Sequence, residues 1–576
     1  MRLLAGIAVV FALTAPAPAD ASPVTGTPRL SEARATRIFL RDEKVADWLA
    51  RYPSDPATDA LYEPDERTWT VRVWSGEAGE IAEGQVDDGR GVVIEAWTGP
   101  QVAWKMARGS RTAFGGRALN SPRVWLLFCA VFLLGLADLR RPLSVRNLDL
   151  LVLLSFSVSL WFFNRGDIFT SVPLAYPPLA YLAGRLTWVG LRRSRPRPFR
   201  PFWPLWVLAA ATVFLAGFRV GLNARDSTVI DVGYAGVVGA HRIVHGESPY
   251  GHMPVRDDRK PCGPAAADGQ VDERIQTNGR CESAVERGDT YGPPSYLAYV
   301  PAYLLFGWDG EWTNHLEAAH AASIAFDLLC LAAIALVGLR FGGPPLATTL
   351  AFAWAAYPFT QYVSSSNTQD ALVPLLLLVG FWLAAAPGAR GAFAALSGWT
   401  KFASLVVVPL WLTYPARRPR ATAIAGLGFA AATLAVFSVV LLEPDPLHAL
   451  RVFWDRTLGW QIGRDSPFSI WDWGQYHADG LPDLRLPQRV LQLGLVAVAL
   501  ALAVVPRRKS PLQLAAFTGA LLIGAELVLT HWFYLYIAWF FPFAALALLA
   551  APVGGRARDQ EEERADREAR ELVAAG

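Results

Sequence analysis

Pro204-Leu-Trp-Val-Leu-Ala-Ala-Ala-Thr-Val-Phe-Leu-Ala-Gly-Phe-Arg-Val-Gly221 is a long apolar stretch, and about ten residues beyond it the chain reads Asp231-Val-Gly-Tyr234-Ala-Gly-Val-Val-Gly-Ala-His241-Arg242. The first stretch is long enough to enter a hydrocarbon core of roughly 30 Å. A carboxylate just past a membrane exit, in a loop that also carries Gly246, Pro249 and Tyr250, is a candidate base at a membrane surface. That placement puts a lipid-linked substrate first among the chemistries to consider.

The rest of the chain repeats the apolar pattern. Its 576 residues are 53% hydrophobic and 18% charged, so it reads as an integral membrane protein. A net charge of +3 leaves no global basic field for nucleic acid. The arginines cluster instead between apolar runs, at Arg140-Arg141, at 192–200, at Arg417-Arg418-Pro-Arg420 and at Arg507-Arg508-Lys509. Such short basic loops stay inside. Counting runs 124–138, 149–163 and 171–191 against these loops sends 204–221 outward, with Asp226 and Asp231 at its outer end. Further runs lie at 294–306, 315–339, 345–359, 371–386, 392–412, 421–442, 490–505, 511–529 and 532–551. Together they predict an all-α polytopic fold of about 12 to 14 spans. Two topologies remain open over 291–412. Either every run crosses once, or 294–306 does not cross and 392–412 is a hairpin broken near Thr400-Lys401, which lets Asn367 and Gln369 face outward with Asp231.

The N-terminus differs. Residues 1–21 carry Arg2, an apolar core and Ala19-Asp20-Ala21, the pattern of a signal peptide, with an uncleaved first span as the alternative. Residues 22–121 have the composition of a small extracytoplasmic α+β domain. Helical spacing runs over 31–52, and alternation predicts strands at 67–74, 80–86 and 91–97, the last two joined by Asp87-Asp88-Gly89-Arg90-Gly91. Three spans at 122–200 and a larger membrane domain at 201–552 follow, with outer loops at 222–291 and 443–488. The tail, 553–576, interleaves Glu, Asp and Arg at helical spacing and reads as cytoplasmic. Cys262 and Cys281 share one polar loop; outside the cytoplasm a disulfide would close it, and the alternative is two unpaired thiols.

Several side chains are candidates for chemistry. Asp231 opens an amphipathic segment, so it is either a base or the N-terminal cap of a surface helix, and Asp226 stands in reserve. Lys401 is the lone lysine between Lys260 and Lys509, and an ionisable group inside an apolar run is a functional candidate by default; snorkelling to the interface is its bland reading. Arg242 and His241 follow Asp231 closely enough to meet the same headgroup. The loop at 443–488 mixes Arg456, Gln461, Arg464 and Asp465 with tryptophans, as a sugar-binding surface does and as an interfacial aromatic belt also does. His531 opens a late apolar run on the outer side. His241 and His245 are four apart with His252 nearby, yet no Glu follows His241, so no metal is assigned and a divalent metal requirement stays open. No phosphate loop or other cofactor motif is present.

Two resemblances add to this reading. The segment from Val86 to Gly99, Val-Asp-Asp-Gly-Arg-Gly-Val-Val-Ile-Glu-Ala-Trp-Thr-Gly, is similar to the hairpin of PepSY-type domains. In the membrane part, Asp231-x-x-Tyr234, Gly246-Glu-Ser-Pro249-Tyr250, Tyr291-Gly-Pro-Pro-Ser-Tyr-Leu, Gly398-Trp-Thr-Lys401-Phe-Ala-Ser and Leu529-Thr-His531-Trp-Phe-Tyr resemble, in order, the integral-membrane glycosyltransferases of family 87, in the GT-C class. The resemblance implies an inverting enzyme that moves a sugar, mannose by default, from a polyprenyl-phosphate donor to a cell-envelope glycan or lipid acceptor outside the cytoplasm. It also implies a carboxylate base in the first large outer loop. The additional spans, the N-terminal domain and the insertion at 253–290 depart from that pattern and make the acceptor unusual. A transporter or lipid flippase, and a non-enzymatic envelope scaffold, are the rival classes; the first wants paired broken helices, of which the sequence offers one, at Lys401.

Overall fold

The computed structural model describes residues 27–110, 112, 114–192, 201–253, 288–310 and 316–550. The expected signal peptide, Cys262, Cys281, the basic stretch 193–200 and the charged tail lie outside the described residues. The chain divides into two compact units, Met1–Gly99 and Pro100–Gly576.

In the first unit, α1 (Glu32–Leu40) and α2 (Glu43–Leu49) precede a four-stranded antiparallel sheet, β1 (Ala57–Glu63), β2 (Thr68–Trp74), β3 (Glu80–Asp87) and β4 (Val93–Thr98), in sequential order. The helical spacing over 31–52 is split in two because Asp42 caps the second helix, accepting the amides of Lys44 at 3.1 Å and Val45 at 3.3 Å. Strand β1 has no counterpart in the sequence reading, since Ala, Thr, Asp and Glu blur its alternation. It forms because Tyr62 pairs across from Trp69, ring centroids 5.3 Å apart, and because β2 offers it a full ladder. Phe39, Val45, Val71, Val73, Ile81 and Val86 make the core. The turn aspartate Asp88 is buried beneath it: burial would raise its carboxyl, but the Arg29 and Leu30 amides and the Trp69 indole outweigh that and hold it below the usual carboxylate range.

The second unit is helical. Among the described residues, six helices are long and apolar enough to cross a membrane: α4 (Val145–Phe163), α6 (Leu205–Arg225), α8 (Glu317–Ala356), α12 (Pro419–Phe437), α13 (Arg485–Val504) and α14 (Pro511–Val528). Among and after them lie α3 (Pro122–Leu136), α5 (Ile168–Leu191), α7 (Asp231–Val244), α9 (Pro358–Ser365), α10 (Leu372–Trp382), α11 (Pro387–Thr400) and α15 (Ile537–Ala550). The protein is thus a polytopic membrane protein, and several of its apolar runs are broken into shorter helices. Residues 293–306 form two short helices, Pro293–Leu297 and Val300–Phe306, each far below the roughly 20 residues that a crossing needs.

Helix α8 is folded in two at Gly343, whose φ of 70° precedes Pro344 and Pro345. The Trp354 indole donates to Asp327 at 2.9 Å, although 27 residues of continuous helix would hold the two about 40 Å apart, so the limbs run antiparallel. Asp327 also receives Arg219 of α6, whose guanidinium reaches the Ala355 carbonyl and the Thr360 hydroxyl, both at 3.2 Å. A charge inside the apolar stretch 204–221 is thereby paired and fully hydrogen-bonded, which is the condition for keeping it there.

Candidate functional site

Helix α7 carries glycines at 233, 236 and 239, a three-residue stripe. A Cβ at Gly233 would overlap the Asn367 carbonyl oxygen, and one at Gly236 or Gly239 would meet the rings of Tyr299 or Tyr296. Gly233 lets the start of α7 lie directly on the corner between α9 and α10, and Gly236 and Gly239 make room for Tyr299 and Tyr296. Asn367 forms that corner with φ 52°, in the left-handed region that asparagine tolerates. Its amide donates to the Ser227 hydroxyl at 2.9 Å and the Thr228 carbonyl at 3.0 Å, and its oxygen receives Asn223 at 2.9 Å. Asn367 therefore pins the loop that leads into Asp231 instead of facing a ligand. Just past it, a turn at Gln369–Ala371 delivers Asp370 into the interior.

A second break lies opposite. Helix α11 stops at Lys401, whose extended backbone (φ −138°, ψ 115°) turns the chain back on itself, with Ser397 and Ser404 hydroxyls 3.1 Å apart. The apolar run 392–412 is thus broken at Thr400-Lys401, as one of the two readings of this stretch has it. Lys401 Nζ lies 3.6 Å from Asp370 Oδ1 and 4.1 Å from the centre of the Tyr291 ring. The Trp539 indole donates to Asp370 Oδ1 at 3.1 Å; Asp370 Oδ2 and both polar atoms of Gln369 are buried with no hydrogen-bond partner. Tyr291 reaches Lys401 because Gly292 presses against the Trp399 carbonyl, and the Tyr250 hydroxyl holds the Tyr291 carbonyl at 2.8 Å. A Cβ at Gly292 would fall well inside the van der Waals radius of that carbonyl oxygen. Gly292→Ala is expected to lower stability by about 1 to 3 kcal/mol through overpacking. A melting temperature equal to that of the wild type in thermal unfolding of the purified protein would refute the close approach.

The third wall comes from the loop at 443–488 and the stretch after α14. Arg464 lies between the rings of Trp104 and Trp460, at 5.6 and 4.7 Å, and its Nε has no hydrogen-bond partner. His531 packs beside Trp104 and Phe468, and its Nδ1 is 2.9 Å from the Ser466 hydroxyl. Asp231 is exposed although protein encloses it, while Tyr291, Arg464, His531 and Tyr536 are each half-buried. An accessible carboxylate with protein on every side marks a hollow, and the charges of Arg464, Lys401 and Asp370 act on it there. Burial raises the Asp231 carboxyl above its ordinary value, against the Val232 amide and the Arg464 and Lys401 cations, while Asp370 pushes it up further.

The structure thus brings Asp231, Lys401, Arg464 and His531 together, beside the turn that carries Gln369 and Asp370. Most other residues singled out from the sequence are held by other partners. Asp226 gives its carboxylate oxygens to the backbone amides of Arg117 and Ala118, at the start of the short helix Gly116–Leu119. His241 and Arg242 sit about 15 Å along α7 from Asp231; His241 meets Tyr303 at 2.8 Å and Arg242 pairs with Glu247 at 2.7 Å. Tyr234 is buried against Trp308. Arg456 pairs with Asp289 at 3.2 Å and Asp465 with Arg485 at 3.0 Å, while Gln461 is half-buried in the short helix Trp460–Gly463. Among the described residues no three His, Cys, Asp or Glu side chains converge as metal ligands, and His252 faces Glu443 at 2.8 Å.

Sequence reading passed over Asp370, Tyr536 and Trp104 as site residues. A carboxylate one residue before the apolar run 371–386 was the available signal for Asp370. Trp104 carried none, since its composition places it with the preceding domain, whereas the compact sheet unit ends at Gly99. No family model, no curated protein and no solved structure matches this chain.

Proposed function

We propose that this protein is an inverting membrane transferase that moves a sugar from a polyprenyl-phosphate donor to a cell-envelope glycan or lipid on the extracytoplasmic side of the plasma membrane. The observation that carries the reading is an accessible carboxylate, Asp231, that protein surrounds and that lies within the fields of two cations, Lys401 and Arg464. Asp231 takes the proton from an acceptor hydroxyl. The freed oxygen attacks the anomeric carbon, and the bond from that carbon to the phosphate oxygen breaks with its electron pair left on the phosphate. Lys401 and Arg464 supply the positive charge that a departing prenyl phosphate needs, and the rings of Tyr291, Tyr536 and Trp460 offer faces on which a pyranose stacks. A donor delivered within the bilayer suits a compartment without nucleotide sugars.

A second reading, a transporter or lipid flippase, draws on one observation: the helix breaks at Asn367–Asp370 and at Lys401 face each other and carry opposite charges. Purified protein incubated with labelled prenyl-phosphate sugars and envelope lipids separates the two. Covalent transfer of label to the lipid supports the transferase, and translocation of label across proteoliposomes without a new product supports the rival.

The base also predicts a pH profile. It works only when ionised, and its folded value is raised, so transfer falls as pH drops through a limb above the ordinary carboxylate value of about 4. A limb at or below that value in initial-rate measurements would remove Asp231 from the role.

A further inference from the structure

We infer that His531 serves the hollow as a neutral hydrogen-bond donor through Nε2, and that Ser466 is the positioning residue that fixes it in that tautomer. The Ser466 hydroxyl is fully buried and has one proton and two lone pairs to place. The Phe468 amide donates to Oγ at 3.2 Å, and the other neighbour of Oγ is His531 Nδ1 at 2.9 Å. No other acceptor lies within hydrogen-bond reach of that hydroxyl among the described residues, so its proton goes to Nδ1. A neutral imidazole whose Nδ1 accepts carries its own proton on Nε2.

The serine is itself held. Its amide donates to Asp472 Oδ2 at 2.8 Å, and Arg485 locks Asp472 from behind through Oδ1, at 2.9 and 2.7 Å. On the other side of the ring, Nε2 has no protein partner among the described residues, and the side chain is half-buried at the hollow. The ionisable groups facing the ring are Arg464, Lys401 and Tyr536, with Trp104 and Phe468 completing its surroundings. Burial first, and then the two cations, hold the imidazole well below its ordinary value, so it stays uncharged. Two cations with an uncharged N–H donor between their fields make a set that suits the oxygens of a phosphate ester. This ligand rests on the reading above, in which the hollow takes a prenyl phosphate; the tautomer does not.

The test joins a spectroscopic signature with binding. In full-length protein with isotope-labelled histidine, His531 (assigned by its loss in His531→Gln) is expected to show a bare Nδ1 and a protonated Nε2, unchanged between about pH 5 and 8. A proton on Nδ1, or a doubly protonated ring within that range, overturns the inference. Decaprenyl phosphate is the binding probe. Ser466→Ala is expected to mix the tautomers and raise its Kd about fivefold to tenfold, whereas Ser466→Thr restores both and His531→Gln, which keeps a donor, binds better than His531→Phe. An Ser466→Ala protein with the wild-type signature and affinity overturns the role of the serine. Wild-type protein that shows the signature but binds no decaprenyl phosphate sinks the prenyl-phosphate reading and leaves the tautomer standing.

Discussion

Asp231→Asn is expected to reduce sugar transfer by about 10² to 10⁴-fold, the contribution of a positioned general base, while expression and melting stay at wild-type values. The substitution keeps the shape of the side chain, and its amide oxygen can still accept the Val232 N–H. The N-cap of α7 is Ile230, not Asp231, so the helix start depends little on this carboxylate. If Asp231 were only a favourable charge at a helix terminus, the change would cost about 0.3 to 1 kcal/mol of stability and leave chemistry alone. Initial rates with a labelled donor, read beside thermal unfolding of the same preparation, separate the two. Turnover retained at a tenth of wild type or better would be fatal to Asp231 as the base.

Lys401→Met is the second large effect, and it acts on fold and site together. Removing the ammonium leaves Asp370, fully buried, with only the Trp539 indole for a partner on one oxygen and none on the other. Breaking a buried pair from one side costs about 3 to 5 kcal/mol, because an uncompensated charge remains. Asp370→Asn in the Lys401→Met background removes that charge, so the double variant is expected to recover most of the lost stability. Binding of decaprenyl phosphate is expected to remain lost in both, since the cation is gone in both. A double variant that regains binding along with stability would reduce Lys401 to a structural partner of Asp370. A single variant as stable as wild type would deny the pair its buried character.

The membrane-embedded fold was legible because its signal is summed over many residues. Long apolar runs and basic loops do not depend on which helix packs where. Asp231 and Lys401 were legible for a related reason: an ionisable group beside or within an apolar run stands out against its surroundings. Arg219 escaped notice because one cation inside a long apolar stretch is outvoted by its neighbours, and its partner, Asp327, lies 108 residues away. Asp226 as a reserve base, and His241 and Arg242 as headgroup contacts, are put forward through nearness to Asp231 in sequence. Along a helix that nearness translates into distance, and at a loop end it translates into a hydrogen bond to someone else's backbone.

By itself, then, the sequence determined that this is a multi-spanning membrane protein with a small N-terminal α+β region, and it supplied the acid, the lysine and the aromatic-rich loop from which a site is built. The tertiary structure alone decided which of these meet. The reversals at Gly343, Asn367 and Lys401, and the close approaches at Gly233 and Gly292, carry Asp370, Tyr291, Arg464 and His531 to one hollow beside Asp231. Burial and mutual charge act only between groups that the fold has already gathered, so the sequence could put Arg464 and His531 forward as candidates but could not show that they meet at Asp231 or that Asp370 and Tyr291 join them.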